Sequence, residues 1–290
     1  MAVTTQKLTA VFLPEDGAKL VSLKRADGKE LLVTKPGQKY GVLTADGSYV
    51  DSECSGFDDM FPTVDPDRPD TAYPAYPDHG ECCRLCYTAE LTQTALTLRA
   101  ESRLFPVTYE KTVSVTEDGG ILLHYCIANR SEREFPFLWA GHIMLSGEPG
   151  MRVLTPFGPE TEREMMFVDP ATNTGKELPV DRLLTHVPGE GTAYKFYYLA
   201  PMPRGEFGVS YADSTALIFS VDPKKLPYLG IWLNNGAFQG GYSITPEPCT
   251  APFDAPTRGA SRGCSCQIPA KSEFTFDMQI QLKEDFPCVR

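Results

Sequence analysis

Hydrophobic and polar residues alternate along most of the chain, a period of two that is typical of β-strands with one buried face. The clearest case is residues 273–283, EFTFDMQIQLK, where five hydrophobic side chains alternate with polar ones. Residues 107–129 alternate on both sides of Asp118-Gly119, a dipeptide that favours a tight hairpin turn. The same pattern occurs at 94–105, 135–145 and 215–222. The sequence therefore predicts a protein built mainly from antiparallel strands.

Helical periodicity is rare in this sequence. The best helix candidate is the short segment PETEREMMFV, residues 159–168. The 25 prolines and 24 glycines are spread along the chain, although two proline-rich and aspartate-rich loops stand out at 61–80 and 245–264. We therefore predict an all-β fold, a single large antiparallel β-sandwich, with residues 1–290 forming one domain.

Composition narrows the class of partner. The formal net charge of −11 disfavours binding to nucleic acid or to an anionic membrane, both of which need clustered Lys and Arg. A small, polar, neutral molecule is easier to reconcile with this charge. The N-terminus lacks the pattern of a secretory signal, and no run of about 20 apolar residues occurs. With nine cysteines, an odd number, these features predict a cytoplasmic protein with reduced thiols.

Three polar positions suggest chemistry. The segment YPDHGECCRLCY (76–87) places His79 and a carboxylate beside three cysteines at the start of a predicted strand. His142 lies in an aromatic strand next to Gly141, where a ligand could approach the backbone closely. Glu247 lies between two prolines in a loop after a predicted strand, and the prolines would fix where its carboxylate points. The other two histidines have simpler interpretations: His124 as a structural residue within a strand and His186 as part of a surface loop.

Taken in order, five segments of the chain resemble the aldose 1-epimerase (galactose mutarotase-like) superfamily. These are VFLPEDGAKLVSLKRADGKELL (11–32), SGFDDMFPTVDP (55–66), PDHGE (77–81), NRSEREFPFLWAGHIML (129–145) and LGIWLNNGAFQGGYSITPEPCTAPFD (229–254). The resemblance runs from about residue 12 to residue 254 and is closer to the divergent, mutarotase-related branch than to the galactose enzymes. It implies a supersandwich fold and interconversion of the α and β anomers of an aldose.

The resemblance also implies roles for individual residues. Glu247 would act as the general base and His142 as the general acid, while His79 would bind or polarise an oxygen at C1 or O5. The candidates for substrate binding are Asp58, Asp59, Arg84 and Lys195 for the sugar hydroxyls and Trp232 for stacking on a sugar face. No metal or cofactor is implied, the partner is a small-molecule sugar, and the protein is expected to be a monomer or a homodimer.

Other interpretations compete with the epimerase. The chain could be a sugar-binding module that kept the fold and lost turnover, because fold does not imply function. His79, Glu81 and His142 could form the two-histidine, one-carboxylate triad of a non-haem iron enzyme. Cys83 and Cys86 have a spacing found in zinc sites. The acidic loops around the expected site favour a neutral sugar over a sugar phosphate.

Overall fold

The computed structural model describes residues 1–35, 44, 46–168 and 180–286, and strands make up most of its regular structure. The strands are β1 (Ala2–Thr4), β2 (Leu8–Leu13), β3 (Lys19–Arg25), β4 (Phe57–Met60), β5 (Thr88–Leu91), β6 (Ala95–Glu101), β7 (Val107–Val115), β8 (Ile121–Asn129), β9 (Phe135–Phe137), β10 (Ala140–Ile143), β11 (Leu145–Ser146), β12 (Arg152–Leu154), β13 (Arg163–Val168), β14 (Ala193–Tyr198), β15 (Glu206–Ser210), β16 (Ala216–Val221), β17 (Tyr228–Asn235), β18 (Tyr242–Cys249), β19 (Cys266–Ile268) and β20 (Glu273–Lys283). The helices are α1 (Val180–Leu183) and α2 (Pro256–Ser261), with single 3₁₀ turns at Tyr49–Asp51 and Cys82–Arg84. Within the described residues, neither helix has the length and apolar character needed to cross a membrane.

Two large antiparallel sheets form the body of the fold. The first follows the order β1-β2-β3-β4-β10-β18-β17-β14-β13, with β11 also pairing with β18. The second follows the order β12-β15-β16-β20-β8-β7-β6-β5, and β9 and β19 form a small separate pair. The predicted large antiparallel β-sandwich is confirmed.

Most of the predicted strands occur where the alternation placed them. Residues 273–283 are one continuous strand, and residues 107–129 form the hairpin of β7 and β8, with Gly119 at φ +79° in its turn. The helix predicted at 159–168 is wrong, because residues 163–168 form edge strand β13. Backbone pairing with β14 overrides the weak helical pattern, and a register shift between Met165 and Phe167 disturbs the alternation that would have marked a strand.

The hydrophobic core lies between the two large sheets. One cluster of buried side chains joins Phe12 and Leu23 of the first sheet to Leu98, Leu123 and Phe276 of the second. Burying each such side chain contributes roughly 1.5–3 kcal/mol, which makes the facing surfaces of the sheets the main source of stability. A rigid sheet of this kind can hold side chains on its opposite face in fixed positions.

Strand β4 shows which face of the first sheet points away from the core. Its consecutive residues Asp58 and Asp59 point to opposite sides, as neighbours in a strand must. Asp59 points towards the second sheet, where its Oδ2 is 2.7 Å from Nζ of Lys111 on β7. Asp58 therefore points to the outer face, and it is paired across the strands with His142. The candidate site lies on this outer face.

Candidate active site

Cross-strand pairing places His142 and Glu247 in one row on the outer face. Ala140 of β10 pairs with Cys249 of β18, which brings His142 level with Glu247 two residues along each strand. The row continues through Gly230 of β17 to Tyr197 of β14. Residues 142 and 247, more than 100 positions apart, thus become direct neighbours.

The Glu247 carboxylate is buried on the floor of a cleft and is contacted by two basic side chains. Its Oε1 is 3.0 Å from Nε2 of His142, without the alignment of a hydrogen bond, and its Oε2 is 2.7 Å from Nζ of Lys195. Burial alone would raise the pKa of Glu247, but the charges of Lys195 and His142 outweigh it and lower the pKa to about 2. Glu247 is therefore ionised at neutral pH.

Lys195 bridges two acidic residues. Its Nζ is 2.8 Å from Oδ1 of Asp254 as well as 2.7 Å from Glu247, and Tyr197 donates a 2.6 Å hydrogen bond to the same Asp254 oxygen. Burial would lower the pKa of Lys195, but the charges of Asp254 and Glu247 raise it. The ammonium stays charged and links the two carboxylates into one network.

Gly230 makes room for this network. It faces Glu247 on one side and Tyr197 on the other, and a Cβ at this position would lie 2.6 Å from the Tyr197 ring. With hydrogen in place of a side chain, the ring crosses strand β17 and places its hydroxyl group beside Asp254. A glycine in the middle of a strand is explained here by the close approach of a ring.

The prolines around Glu247 lie within strand β18, so the predicted loop position of this residue is wrong. Among the described residues, β18 pairs with β10 at Cys249 and with β11 at Ile244 and Ser243, and residues 245–248 lie between these pairings. Pro246 and Pro248 lack an N–H, and such residues fit a strand where its ladder is interrupted. The interruption leaves the space in which the side chains of His142 and Glu247 meet.

His79 reaches the cleft from the proline-rich loop before β5. Its backbone has φ +57°, a sparsely populated conformation for a residue with a side chain that often occurs at functional sites. The ring stacks on Tyr49 with 4.2 Å between centroids, lies 5.5 Å from the His142 ring and has Nδ1 2.9 Å from Oδ1 of Asp78. These contacts fix the ring next to His142.

The protonation of His79 follows from its surroundings. Burial lowers the pKa of His79, and this effect outweighs the opposing hydrogen bond with Asp78. Burial would raise the pKa of Asp78, but hydrogen bonds from the His79 ring, the Tyr49 backbone N–H and the Ser48 hydroxyl lower it to about 2. Neutral His79 therefore donates from Nδ1 to the ionised Asp78, which leaves the Nε2 lone pair for a ligand.

The cleft has a volume of about 470 Å³, which is within the range of small-molecule sites. Of the predicted site residues, the cleft is lined by His79, His142, Lys195, Trp232 and Glu247. The structure thus brings together the three predicted catalytic residues and two of the predicted binding residues. The cleft combines aromatic side chains with charged groups, of which Glu247 is buried whereas Asp65 and Arg258 are exposed.

The other three predicted binding residues do not line the cleft. Asp58 lies beneath Tyr49, which donates a 2.7 Å hydrogen bond to its Oδ2, and Lys19 Nζ is 3.1 Å from the same atom. Asp59 faces the second sheet. Arg84 is buried and donates to the backbone carbonyl oxygens of Gly47, Asp78 and Gly80, so it holds the loop that carries His79.

The cysteine-rich segment 76–87 is a turn rather than the start of a strand. Cys82–Arg84 form a 3₁₀ turn and the following strand begins only at Thr88, so the predicted strand is wrong here. Cys83 is buried while Cys86 is exposed, and the eight cysteines in the described residues are free thiols. In the same residues no group of His, Cys, Asp and Glu has the arrangement of a metal site.

Glu81 does not face His79 and His142. Its carboxylate accepts hydrogen bonds from Ser102 Oγ and from the backbone N–H groups of Arg103 and Leu104, the last two at 2.8 and 3.1 Å. The carboxylate therefore stabilises the 102–105 turn. This geometry does not support the iron-triad hypothesis.

Three smaller expectations have mixed outcomes. His124 lies on the second sheet, outside the cleft, with its Nδ1 2.6 Å from Asp277. The predicted surface position of His186 is wrong, because its side chain is buried against Gly147 and lies edge-on to Tyr242. Gly141 accommodates the neighbouring rings of Trp139 and Phe57 rather than a ligand.

Sequence reasoning missed several polar residues of the site. Tyr197 could have been found, because it is two residues after Lys195 in an alternating strand and must share its face. Asp254 and Tyr49 lie outside the regular strands, so strand periodicity does not predict where their side chains point. Asp254 also has φ +66°, a conformation that its sequence does not predict. Asp78 was visible only as the neighbour of His79.

Comparisons with known proteins identify the fold. Comparison with solved structures finds this β-sandwich in galactose mutarotase-like proteins, and the resemblance to that superfamily is confirmed at the level of the fold. No family model and no curated protein matches the chain. The chain has the galactose mutarotase-like fold with a widely diverged sequence.

Three neighbours illustrate the similarity. A galactose mutarotase-like protein from Lactobacillus casei ATCC 334 is 17% identical, with a TM-score of 0.68 over 98% of this chain and 99% of its own. A galactose mutarotase-like protein from Clostridium acetobutylicum is 14% identical, with a TM-score of 0.67 over 98% and 94%. A candidate aldose 1-epimerase from Escherichia coli K12 is 14% identical, with a TM-score of 0.65 over 98% and 99%.

Proposed function

We propose that the protein is an aldose 1-epimerase-like isomerase that interconverts the α and β anomers of a neutral hexose or related aldose. The observation that carries this proposal is the 3.0 Å separation of His142 Nε2 and Glu247 Oε1 on the cleft floor. Ring opening needs one proton removed from O1 and one delivered to O5. Both oxygens are bonded to C1, so the base and the acid must be close neighbours.

The proposed reaction is a pair of proton transfers. The Glu247 carboxylate takes the proton from the O1 hydroxyl while protonated His142 gives its Nε2 proton to O5. The C1–O5 bond breaks and C1 becomes an aldehyde. After rotation about C1–C2, the C5 hydroxyl attacks the other face of the carbonyl. The two protons return by the reverse transfers, so that neither enzyme nor substrate is changed in composition.

The other residues support this reaction in different ways. Neutral His79 accepts a hydrogen bond from a sugar hydroxyl at Nε2, because its Nδ1 is held by Asp78. Lys195 keeps Glu247 ionised, and Trp232 packs on an apolar face of the sugar. The binding roles expected for Asp58, Asp59 and Arg84 become indirect in this proposal: they support Tyr49, the sheets and the His79 loop.

Two of the three Lys and Arg side chains among the described lining residues, Lys195 and Arg258, are paired with carboxylates, which favours a neutral substrate. Lys195 is paired with Glu247 and Asp254, and Arg258 is 2.6 Å from Asp65. A phosphate group would have to compete with carboxylates for these cations. We further propose that the protein is cytoplasmic, which the free thiols of the described cysteines support. Its partner is the sugar, and it is a monomer or a homodimer.

The direct test is anomer exchange measured by NMR on a panel of aldoses and their phosphates. Exchange above the buffer rate for at least one free aldose is expected. No acceleration for any of them would reject the isomerase. Faster exchange of a sugar phosphate than of its free sugar would reject the neutral substrate.

A sugar-binding module without turnover is the second candidate, and one observation favours it. The low pKa of Glu247, about 2, makes it a weaker base than a carboxylate whose pKa lies near the operating pH. Calorimetric binding of a sugar that shows no accelerated exchange would support this candidate.

A further inference from the structure

We infer that Asp58 is a positioning residue for His142, whose Nδ1–H it holds from beneath the cleft while Nε2 faces the substrate. This inference rests on the proposed function, because it takes His142 as the general acid. It goes beyond that function by giving a buried carboxylate outside the cleft a part in the proton transfer.

Asp58 and His142 lie directly opposite each other on neighbouring strands. Residue 142 of β10 pairs with residue 58 of β4, and both side chains point to the outer face of the first sheet. Residues paired in this way have Cβ atoms about 4.5–5.5 Å apart. The two side chains are therefore close enough to interact directly or through one water molecule.

The orientation of the His142 ring places Nδ1 on the side of Asp58. Strand β10 lies between β18, which carries Glu247, and β4, which carries Asp58. Nε2 of His142 is on the β18 side, 3.0 Å from Oε1 of Glu247. The two nitrogens of an imidazole point away from each other, so Nδ1 lies on the β4 side. Tyr49, which donates to Asp58, also meets the His142 ring at an edge, with 5.7 Å between centroids.

The two facing atoms lack a hydrogen-bond partner among the described residues. Nδ1 of His142 and Oδ1 of Asp58 are both buried, and no described side chain or backbone group bonds to either. Buried polar atoms that stay unpaired destabilise the folded state. Because one atom can donate and the other can accept, an N–H···O link, direct or through one water molecule, would satisfy both.

The charge of Asp58 suits this role. Tyr49 and Lys19 both contact its Oδ2, at 2.7 and 3.1 Å, which leaves Oδ1 for His142. Lys19 also contacts Glu53, so one ammonium is shared by two carboxylates. The Asp58 side chain has no exposed surface, and a buried negative charge favours the charged form of a neighbouring imidazole.

His142 thus lies between two carboxylates, and as an imidazolium it can direct one N–H to each side. Nε2–H points towards Glu247 or, with the sugar bound, towards O5, while Nδ1–H points towards Asp58. When Glu247 takes the O1 proton and loses its charge, Asp58 keeps its own and holds the ring for the return transfer. The other titratable side chains next to the ring or to Glu247 are those of Tyr49, His79 and Lys195.

The experiment uses Asp58→Asn, which keeps the size of the side chain and an acceptor for Tyr49 but removes the charge. It should lower kcat for anomer exchange by roughly 10- to 100-fold, a part of the 10²–10⁴-fold contribution of a general acid, with little change in KM. The alkaline limb of the kcat pH profile, where His142 loses its proton, should move to lower pH. NMR titration of the His142 ring nitrogens should show the same displacement without turnover.

Asp59→Asn is the matched control, because Asp59 is also buried and paired with a lysine, Lys111, but on the other face of the same strand. It should reduce thermal stability and leave the alkaline limb in place. Tyr49→Phe removes the hydrogen bond to Asp58 but keeps its carboxylate, so the limb should again stay in place. A limb that moves as far in Tyr49→Phe as in Asp58→Asn would assign the effect to Tyr49 and overturn the inference.

A measurement on the wild-type protein keeps the inference testable should Asp58→Asn fail to fold. Neutral His142 should carry its proton on Nδ1, because an ionised carboxylate can only accept; a bare Nδ1 in the nitrogen spectrum would overturn the inference. Exchange in the wild type with an unmoved limb in a folded Asp58→Asn protein would reject the role of Asp58 and keep the isomerase. A protonated Nδ1 without any exchange would reject the isomerase and keep the pairing.

Discussion

Lys195 and Glu247 form a buried ion pair on the cleft floor, with 2.7 Å between Nζ and Oε2. The contact keeps the carboxylate ionised and fixes its orientation, but it also lowers its affinity for a proton. Lys195 therefore increases the fraction of Glu247 that is ionised but decreases the proton affinity of its carboxylate. These opposing effects can be measured as a pH dependence.

Replacing Lys195 with Met should move the acid limb of the kcat/KM pH profile to higher pH. Glu247 works only when ionised, and without the ammonium its burial raises its pKa, so activity is lost at a higher pH as the solution is acidified. The measurement is anomer exchange from acid to neutral pH. Lys283→Met, an exposed lysine on the other sheet, should leave the profile unchanged.

Lys195→Met also leaves two carboxylates buried without their cation, which costs about 3–5 kcal/mol of stability. Thermal unfolding should therefore accompany the profile. Lys195→Arg keeps the charge and should keep the acid limb near its original position. An unmoved limb in a folded Lys195→Met protein would show that this lysine does not tune the base.

Glu247→Gln should reduce anomer exchange by roughly 10²-fold or more, because the amide keeps the size of the side chain and cannot take a proton. Sugar affinity should change little. Exchange and calorimetric binding should both be measured, with the exposed Glu90→Gln as the control. Undiminished exchange in Glu247→Gln would mean that another group is the base.

Gly230→Ala should reduce both activity and stability. The added Cβ would lie 2.6 Å from the Tyr197 ring and displace its hydroxyl from Asp254, with a loss of about 1–3 kcal/mol for overpacking. Tyr197→Phe removes the hydroxyl but not the ring, so it should lower exchange with less effect on unfolding by urea. A Gly230→Ala protein with normal exchange would show that the position of Tyr197 is unimportant.

The protein should lose stability as the pH falls below about 6.5, the usual pKa of histidine. Burial lowers the pKa of His186, so the unfolded chain binds a proton in this range that the folded chain does not, which favours unfolding. Asp16, whose pKa is raised to about 6 mainly by burial, acts in the opposite direction at lower pH. Comparison with His186→Phe isolates the histidine: this variant should lose less stability on mild acidification, and an identical loss would contradict the assignment.

Most of the fold could be predicted from strand periodicity, because a strand with one buried face has hydrophobic residues at alternate positions. Residues 273–283 and the 107–129 hairpin show this directly. The alternating pattern is lost where burial does not alternate: β13 has a register shift, and Glu247 lies in a strand that is buried on both sides and contains prolines. His186 shows the same limit, since a loop that packs inward has no periodic signal.

The candidate site was only partly predictable from sequence. His79, His142 and Glu247 stand out in the sequence by residue type and setting, a resemblance in the order of motifs implies their roles, and the structure brings them to one cleft. Contacts that depend on loop conformation, such as Asp254 with Lys195, could not be predicted. Asp58 and Asp59 show why residue type alone is insufficient, because both are acidic and adjacent, yet neither lines the cleft.

The back-to-back arrangement of Asp58 and Asp59 restricts how the gene can change. Inserting or deleting one residue ahead of them in β4, with the strand ends held, would exchange the faces of whatever follows. An insertion would move Asp58 into the place of Asp59 and leave Tyr49 without its acceptor, whereas a deletion would move Asp59 into the place of Asp58 and leave Lys111 in the core without its carboxylate. Single substitutions in this strand can be tolerated, but insertions and deletions cannot. Length changes should therefore accumulate in the surrounding loops during evolution and be purged from this four-residue strand.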